Sequence, residues 1–315
     1  MRAAVIERVG EPPVLGDVPE PERGEGQALV DVLAVPLNPV DLSIAAGRFY
    51  AGPPQTPYVP GNEGVGRVVE SDAVEPGTRI WFTCAAGFGS NGTLAQRALA
   101  PEAGGIEVPE GVDDALAGCF GIAGLTAWLA LTWRGQLAEG ETVLVLGASG
   151  AVGQIAVQAA GLLGADRVVA AARDTGAVQK LGADGVVALR GDDADALREA
   201  TGGGADLTVD PLWGAPAAAA VEAAAFRGRI VHLGQSAGPE STLRSGAVRG
   251  KALDIRGFPL AAAPQEEKAR AYRLMLEHAA AGRLGIEHET LPLERVQEAW
   301  ECQAASPHRK LVLRP

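Results

Sequence analysis

The stretch Thr142-Val143-Leu144-Val145-Leu146-Gly147-Ala148-Ser149-Gly150-Ala151-Val152-Gly153 joins a run of buried-strand residues to the start of a helix through three evenly spaced glycines. Gly147 permits a tight turn, Gly150 lets the backbone approach a pyrophosphate, and Gly153 lets the helix pack closely on the strand. The diphosphate of a dinucleotide would bind the unpaired N–H groups at the helix N-terminus. The predicted cofactor-binding residues of this turn are Gly147, Ser149, Gly150, Ala151, Val152 and Gly153. The spacing is G-x-x-G-x-x-G and not the commoner G-x-G-x-x-G, so a turn that is glycine-rich only for packing is the alternative.

The next strand supports a nucleotide-binding interpretation and indicates which nucleotide. Residues 167–172 form a short apolar run that ends at Arg173-Asp174. An acidic side chain at this strand end would bind the 2′-hydroxyl of NAD, whereas an arginine suits the 2′-phosphate of NADP. Arg173 comes first, which favours NADP (NADPH). Two alternatives stay open: a shift of one residue would place Asp174 at the critical position, and Arg173 could be a solvated loop residue.

Length, composition and charge narrow the class of protein. The chain has 315 residues, enough for two domains, and its 47% hydrophobic and 21% charged residues are those of a globular protein. Its net charge of −12 argues against nucleic-acid and anionic-membrane partners and leaves a small-molecule substrate. Three widely spaced cysteines and an N-terminus unlike a signal peptide predict a cytoplasmic protein with reduced thiols.

The pattern along the chain predicts an α/β fold, with a β-rich first part and a second part in which helices and strands alternate. In the first hundred residues, short β-like runs alternate with Pro- and Gly-rich turns, at 28–34, 64–70 and 79–83. From about residue 113, helices alternate with strands at 143–146, 168–172, 185–189, 207–210 and 229–233, which predicts a doubly wound parallel sheet. A helix at 265–281, a strand near 287–291, a helix at 293–304 and a last strand at 310–313 follow. Two long apolar runs, 115–133 and 142–165, are predicted to be buried elements and not membrane spans.

Several motifs together resemble the medium-chain dehydrogenase/reductases, specifically their zinc-free branch of quinone oxidoreductases and enoyl-thioester reductases. The motifs are Asn38-Pro39-Val40-Asp41, Val59-Pro60-Gly61-Asn62-Glu63-Gly64-Val65-Gly66, Ala123-Gly124-Leu125-Thr126-Ala127-Trp128, the glycine turn, and Leu181-Gly182-Ala183-Asp184. The resemblance covers essentially the whole chain. It implies a GroES-like catalytic domain at 1–112 and 261–315, a Rossmann domain at 113–260, an active site in the cleft between them, and a homodimer.

The sequence departs from the zinc-dependent alcohol dehydrogenases of the same superfamily at their metal ligands. Asn62 stands in Gly61-Asn62-Glu63 where those enzymes have a ligand histidine, and no cysteine lies near residues 38–41. Cys119 falls near a third ligand position, but one thiolate cannot hold zinc, so we expect it to pack in the core. The four histidines lack ligand-like spacing and are His232, His278, His288 and His308. We therefore predict no metal.

Without a metal to polarise a carbonyl, conjugate reduction is the natural chemistry: hydride passes to a quinone or an α,β-unsaturated carbonyl. Asn38 and Tyr50 are the predicted catalytic donors, and Asn38 is also a predicted cofactor contact. In enoyl-thioester reductases the expected tyrosine position is Phe49 here, so Tyr50 either replaces it with a shift of one residue or simply packs nearby. An enoyl-thioester reductase and a non-enzymatic NADPH-binding protein are the alternative functions.

Further candidate residues come mainly from the resemblance. Thr126 is expected to contact the cofactor, with a helix cap or a buried core hydroxyl as the alternatives. Leu233, Gly234 and Gln235 end a strand where the nicotinamide should lie, with an ordinary turn as the alternative. Trp213 is expected to pack within a loop, with a position lining the cleft as the alternative, and Lys310 matches a recurrent family position or is merely solvated.

Overall fold

The computed structural model describes residues 1–315, which divide into two compact units, Met1–Ile122 with Ile286–Pro315 and Ala123–Gly285. In chain order the strands are β1 (Arg2–Val5), β2 (Val14–Asp17), β3 (Gln27–Pro36), β4 (Glu63–Glu70), β5 (Arg79–Thr83), β6 (Arg97–Pro101), β7 (Ile106–Glu107), β8 (Thr142–Leu146), β9 (Arg167–Ala172), β10 (Gly185–Ala188), β11 (Ala205–Asp210), β12 (Ala224–His232), β13 (Asp254–Gly257), β14 (His288–Pro292) and β15 (Lys310–Arg314). The α-helices are α1 (Pro39–Ala45), α2 (Asp114–Cys119), α3 (Leu125–Leu129), α4 (Ala151–Leu162), α5 (Ala194–Ala200), α6 (Gly214–Ala223), α7 (Ser245–Gly250), α8 (Gln265–Ala280) and α9 (Val296–Ala304).

The first unit is built on a seven-stranded sheet that combines both ends of the chain. Its order is β14-β15-β3-β4-β5-β7, with β6 also paired to β3. The residues of β3 are alternately buried and half-buried, as expected of a strand with one face on the core. Because β15 pairs antiparallel with β3, the first residue of β15, Lys310, is brought beside the start of α1.

The second unit is a parallel sheet of six strands in the order β10-β9-β8-β11-β12-β13. This is the 3-2-1-4-5-6 order of dinucleotide-binding folds, with the strand order reversing between β8 and β11. The predicted doubly wound sheet is therefore confirmed. The sequence did not predict β13, because its residues Asp-Ile-Arg-Gly are exposed or half-buried and form no apolar run.

The first apolar run is a series of helical turns interrupted at one residue. Residues 120–124 between α2 and α3 are π-helical, and Gly121 has ψ −120°, outside the helical range. The segment Asp114–Arg134 is long and apolar enough to cross a membrane, but 83% of its most apolar window is buried inside the protein. That burial is typical of a core helix. The second run is divided between β8 and α4.

The boundaries of the compact units differ from the predicted domain boundaries at 112/113 and 260/261. The C-terminal difference arises because α8 packs on α3, with the rings of Trp128 and His278 5.7 Å apart. In addition, Gln158 of α4 exchanges two hydrogen bonds with the backbone of Gly285. Residues up to 285 therefore belong to the second unit.

Candidate functional site

The glycine turn has the geometry that a bound diphosphate needs. Gly147 has φ +62°, in the left-handed region. A Cβ on Gly153 would lie 2.4 Å from the carbonyl oxygen of Gly147, so the helix could not pack there with any side chain. Gly150 is the N-cap residue of α4, no side chain bonds to the first amides of this helix, and a Cβ there would meet nothing closer than 3.4 Å. The N-terminus of α4 is thus open to an anion.

The loops that follow β8, β11 and β12 pack together at one edge of the sheet. A Cβ on Gly147 would lie 2.9 Å from the Leu212 side chain, and one on Gly234 would lie 2.6 Å from the carbonyl oxygen of Pro211. The amide of Leu233 donates to the carbonyl oxygen of Asp210 at 2.9 Å. The structure therefore brings the predicted residues Leu233, Gly234 and Gln235 to the same edge as the glycine turn, which is where dinucleotides bind in such sheets.

Arg173 lies at the carboxyl end of β9, exposed, and makes no hydrogen bond or ion pair within the protein. Asp174 is also exposed, but its carboxylate accepts a 3.0 Å hydrogen bond from the amide of Gly176 and so closes its own turn. A free guanidinium suits a phosphate group. The position therefore fits a 2′-phosphate.

Three further polar groups meet at this edge, and local sequence patterns assign no function to them. Asp210 ends β11 and His232 ends β12, in register, with Nδ1 of His232 3.5 Å from Oδ2 of Asp210. The Trp213 ring lies 4.3 Å from the imidazole. The sequence favours loop packing for Trp213 over lining the cleft, and it predicts no ligand role for His232. The pairing of two strands separated by a helix brings the three residues together.

The first unit contains a buried network of ionic and amide groups. Lys310 is 2% exposed, and its ammonium donates to Oδ1 of Asn38 at 2.5 Å and lies 3.8 Å from Oε1 of Glu63. The alternative that Lys310 is merely solvated is therefore wrong. Asn38 also donates through Nδ2 to Oε1 of Glu63 at 2.7 Å and to the carbonyl oxygen of Pro36 at 3.1 Å. Both polar ends of the Asn38 side chain are thus engaged inside the protein.

Glu63 is fully buried and surrounded by donors. Its Oε2 accepts hydrogen bonds from the indole of Trp81 at 2.8 Å and from the amide of Ile122 at 2.6 Å. Burial raises the pKa of the Glu63 carboxyl, while Lys310 and the hydrogen-bond donors oppose that rise. Since every partner is a donor, the arrangement suits the carboxylate form. Gly121 makes it possible, because a Cβ there would lie 2.0 Å from Oε2 of Glu63.

A second buried carboxylate, Asp41, lies in the same region. It accepts hydrogen bonds from the amide of Asn38 at 2.8 Å and from the backbone and side chain of Asn62 at 3.0 and 2.7 Å. Burial raises the pKa of Asp41, and its bonds with Asn62 and Asn38 oppose the rise. Asn62 therefore serves as a hydrogen-bond donor at the position of the ligand histidine.

These residues do not form a zinc site. No group of three or more His, Cys, Asp and Glu side chains in the chain is arranged to hold a metal ion. Cys119 is fully buried, and burial raises the pKa of its thiol to about 12. Amides and an ammonium, which do not bind zinc in such sites, occupy the surroundings of the two carboxylates.

The predicted donor Tyr50 lies elsewhere in the first unit, with its side chain in contact with other aromatic rings. Its residue is 84% exposed, and its ring lies 4.1 Å from that of Phe49, which is 5.9 Å from that of Phe88. In the second unit, Thr126 is 9% exposed in the first turn of α3. The structure therefore places an accessible phenol on Tyr50 and a largely buried hydroxyl on Thr126.

The strand order and the glycine turn of the second unit are typical of dinucleotide-binding folds. Together with the β-rich first unit, they are typical of dinucleotide-dependent oxidoreductases. Two family models match the chain: the alcohol dehydrogenase GroES-like domain at residues 24–110 and the zinc-binding dehydrogenase at residues 151–277. The chain belongs to the medium-chain dehydrogenase/reductase superfamily and resembles its quinone oxidoreductases. The predicted family and fold class are confirmed.

Individual relatives cover the chain to different extents. A phenolphthiocerol/phthiocerol polyketide synthase protein of Mycobacterium tuberculosis is 31% identical over 99% of this chain, which spans only 15% of the length of that synthase protein. Mouse prostaglandin reductase-3 is 29% identical over 77% of this chain and 66% of its own length. The quinone oxidoreductase of Thermus thermophilus, solved also as a complex with NADPH, is 28% identical over the full length of both chains with a TM-score of 0.84.

Proposed function

We propose that this protein is an NADPH-dependent reductase that works without zinc and transfers hydride to a quinone or an α,β-unsaturated carbonyl. The observation that carries the proposal is the nucleotide-binding edge: a glycine turn that tolerates no Cβ at Gly153, together with a free Arg173 at the end of the adjacent strand. The NADPH complex of the Thermus thermophilus relative supports the choice of cofactor.

The residues that would hold NADPH divide according to the parts of the molecule. The N-terminus of α4, from Gly150 through Gly153, would hold the diphosphate, and Arg173 would bind the 2′-phosphate. Leu233, Gly234 and Gln235 border the nicotinamide half, and Thr126 and Asn38 are further candidate contacts. Bound NADPH supplies the hydride, and the protein aligns the acceptor and excludes competing reactions.

Amides and an ammonium satisfy the buried carboxylates of the first unit. Conjugate reduction fits this arrangement because it needs no metal ion bound to those carboxylates. Hydride addition to an enone or quinone leaves an anionic oxygen that must be stabilised and protonated. Because both polar ends of Asn38 are bonded inside the protein, Tyr50 is the better candidate for the proton donor. Because Tyr50 is 84% exposed, a phenol that has donated its proton can take another from solvent. A hydroquinone product could also be protonated by solvent directly.

An enoyl-thioester reductase is a second candidate, favoured by one observation. The match to the polyketide synthase extends over 99% of this chain, so the similarity includes both units. Under this proposal an acyl thioester would be the substrate and Tyr50 would be required for turnover. Under the quinone proposal, Tyr50→Phe would retain most activity. A homodimer and a cytoplasmic location stay predictions.

The first experiment measures cofactor binding. The wild-type protein is titrated with NADPH and with NADH, following nicotinamide fluorescence, alongside Arg173→Ala and the matched control Arg167→Ala. Arg167 is at the opposite, amino end of β9. We expect NADPH to bind about tenfold more tightly than NADH, equivalent to about 1.4 kcal/mol, with the preference lost only in Arg173→Ala.

The second experiment compares NADPH oxidation with a simple quinone, a free enone and an acyl thioester, with zinc content measured on the same preparation. Turnover of quinone or enone by protein with substoichiometric zinc supports the proposal. Turnover of the thioester alone supports the second candidate. Binding of NADPH without oxidation by any of the three would leave a non-enzymatic NADPH-binding protein.

A further inference from the structure

Asp210 and His232 form an incomplete polar pair at the nucleotide-binding edge. They are the last residues of the adjacent parallel strands β11 and β12. Asp210 is fully buried, and its Oδ1 accepts hydrogen bonds from the amides of Leu212 and Trp213, each at 2.9 Å. Its Oδ2 has no hydrogen-bond partner, and neither does Nδ1 of His232, 3.5 Å away. Two buried polar atoms thus face each other slightly beyond hydrogen-bonding distance.

The backbone and an aromatic ring hold this pair in place. Trp213 has φ +56° and ψ −153°, a strained combination for a residue with a side chain. That conformation lets its amide reach Asp210 while its ring lies 4.3 Å from the imidazole of His232. Strain retained beside unpaired buried polar atoms is typical of a ligand site and is not explained by packing alone.

The free edge of the imidazole is its Nε2 atom. The His232 side chain is 29% exposed, its Nδ1 is buried, and its Nε2 is neither buried nor bonded to any protein group. In the neutral ring, a carboxylate facing Nδ1 favours the tautomer that carries the proton on that nitrogen. Nε2 is then a hydrogen-bond acceptor directed away from Asp210, suited to a hydroxyl donor.

The position in the sheet identifies the hydroxyl. In this strand order each half of the sheet takes one mononucleotide, and β8, β9 and β10 hold the glycine turn and Arg173. His232 belongs to the other half, directly before Leu233 and Gly234. The group that would meet it is therefore part of the nicotinamide nucleotide, whose ribose carries hydroxyl donors.

We propose that Nε2 of His232 accepts a hydrogen bond from a ribose hydroxyl on the nicotinamide half of NADPH. Asp210 is the positioning residue that fixes the tautomer, and Trp213 fixes the plane of the ring. The loose Asp210–His232 contact shortens when the ligand binds, as polar contacts of ligand-free sites commonly do. This inference rests on the proposed NADPH dependence.

The test separates the two halves of the cofactor. Calorimetry measures the affinities of NADPH and of 2′,5′-ADP, which lacks the nicotinamide nucleotide. We expect His232→Phe, which keeps a ring beside Trp213, to weaken NADPH about three- to tenfold, the loss of one hydrogen bond, and to leave 2′,5′-ADP unchanged. Arg173→Ala should weaken both ligands. His232→Gln, which retains an acceptor, should restore most of the NADPH affinity.

Asp210→Asn tests whether the tautomer of His232 controls NADPH affinity. A purely structural role of Asp210 would not couple the two measurements. Its Oδ1 can keep both backbone bonds, while its amide donates to Nδ1 and forces the proton of His232 onto Nε2. Nitrogen chemical shifts of His232 should report the exchanged tautomer, and NADPH affinity should fall as in His232→Phe while that of 2′,5′-ADP stays constant.

Two results would overturn the inference in different ways. Equal NADPH affinities of wild-type protein, His232→Phe and Asp210→Asn would refute it and leave NADPH dependence standing. Absence of NADPH binding by the wild-type protein would refute the proposed function and this inference together.

Discussion

Removing the ammonium group of Lys310 tests whether the buried network of the first unit holds that unit together. Lys310→Met keeps the length of the aliphatic stem but deletes the donor to Asn38 and the cation beside Glu63. Lys310 comes from the C-terminal strand, while Asn38 and Glu63 come from the first 63 residues. The substitution therefore cuts a connection between the two chain segments of the unit.

The expected loss follows from the geometry. Two unit charges 3.8 Å apart interact by about 4 kcal/mol at an effective dielectric constant near 20. Deleting one partner of a buried pair leaves the other uncompensated and typically costs about 3–5 kcal/mol. The hydrogen bonds from Trp81, Ile122 and Asn38 still solvate the Glu63 carboxylate, which limits the loss. We therefore expect the free energy of unfolding to fall by about 3 kcal/mol.

Hydrogen exchange of the Trp81 indole and the Ile122 amide measures this loss within the first unit, with urea denaturation as the global measure. Arg314→Met is the matched control, because Arg314 lies in the same strand and its ion pair with Asp113 is about half exposed. That pair is worth at most about 1 kcal/mol. The double variant Lys310→Met/Glu63→Gln should recover a substantial part of the loss, because the carboxylate nearest to the deleted ammonium is then neutral, while Asp41 keeps its three hydrogen-bond donors. Equal costs for Lys310→Met and Arg314→Met, or strict additivity in the double variant, would refute the reasoning.

Three other predictions concern two tightly packed glycines and two thiols. Gly153→Ala should abolish NADPH binding in the fluorescence titration, because its Cβ would lie 2.4 Å from a backbone oxygen. The control Gly161→Ala lies in the same helix, its Cβ would meet nothing within 4 Å, and it should bind NADPH normally. Gly121→Ala should lower the free energy of unfolding by about 3 kcal/mol, since its Cβ would collide with a buried carboxylate and indole, and a urea titration against Gly161→Ala checks it. Burial raises the pKa of the Cys84 and Cys119 thiols to about 12, so both stay protonated at pH 8. Mass spectrometry after alkylation should then find them unmodified in folded protein and modified in urea, and rapid labelling of the folded protein would contradict this.

Local sequence patterns were sufficient to predict most of the fold. The apolar runs at β8, β9 and β11 and the glycines that follow β8 determine the parallel sheet, because strand and turn signals are local. The edge strand β13 was not predicted, because its exposed and half-buried residues form no hydrophobic pattern. Helix α8 was predicted to belong to the C-terminal segment of the first domain, but it lies in the second unit. Its amphipathic pattern does not reveal which unit its apolar face contacts.

The polar site was harder to predict because its residues are far apart in sequence. The bond between Asn38 and Lys310 spans 272 positions, and nothing near either residue indicates it. A lysine in a terminal strand is ordinarily solvated, and only the pairing of β15 with β3 buries this one. The Asp210–His232 pair likewise depends on the register of two strands that a helix separates. Local patterns identified the glycine turn, whereas the side chains that complete the site depend on strand pairing.

The donors around the two buried carboxylates support the proposed zinc independence on chemical grounds. A buried carboxylate must be neutralised by a cation or satisfied by hydrogen-bond donors. Asp41 has three donors from Asn38 and Asn62, and Glu63 has three donors together with Lys310. A divalent cation would have to displace the ammonium and turn both amides around, breaking bonds that the fold already satisfies. Asn62, which stands where zinc-dependent enzymes have a ligand histidine, is therefore one of several donors that, with Lys310, satisfy both carboxylates.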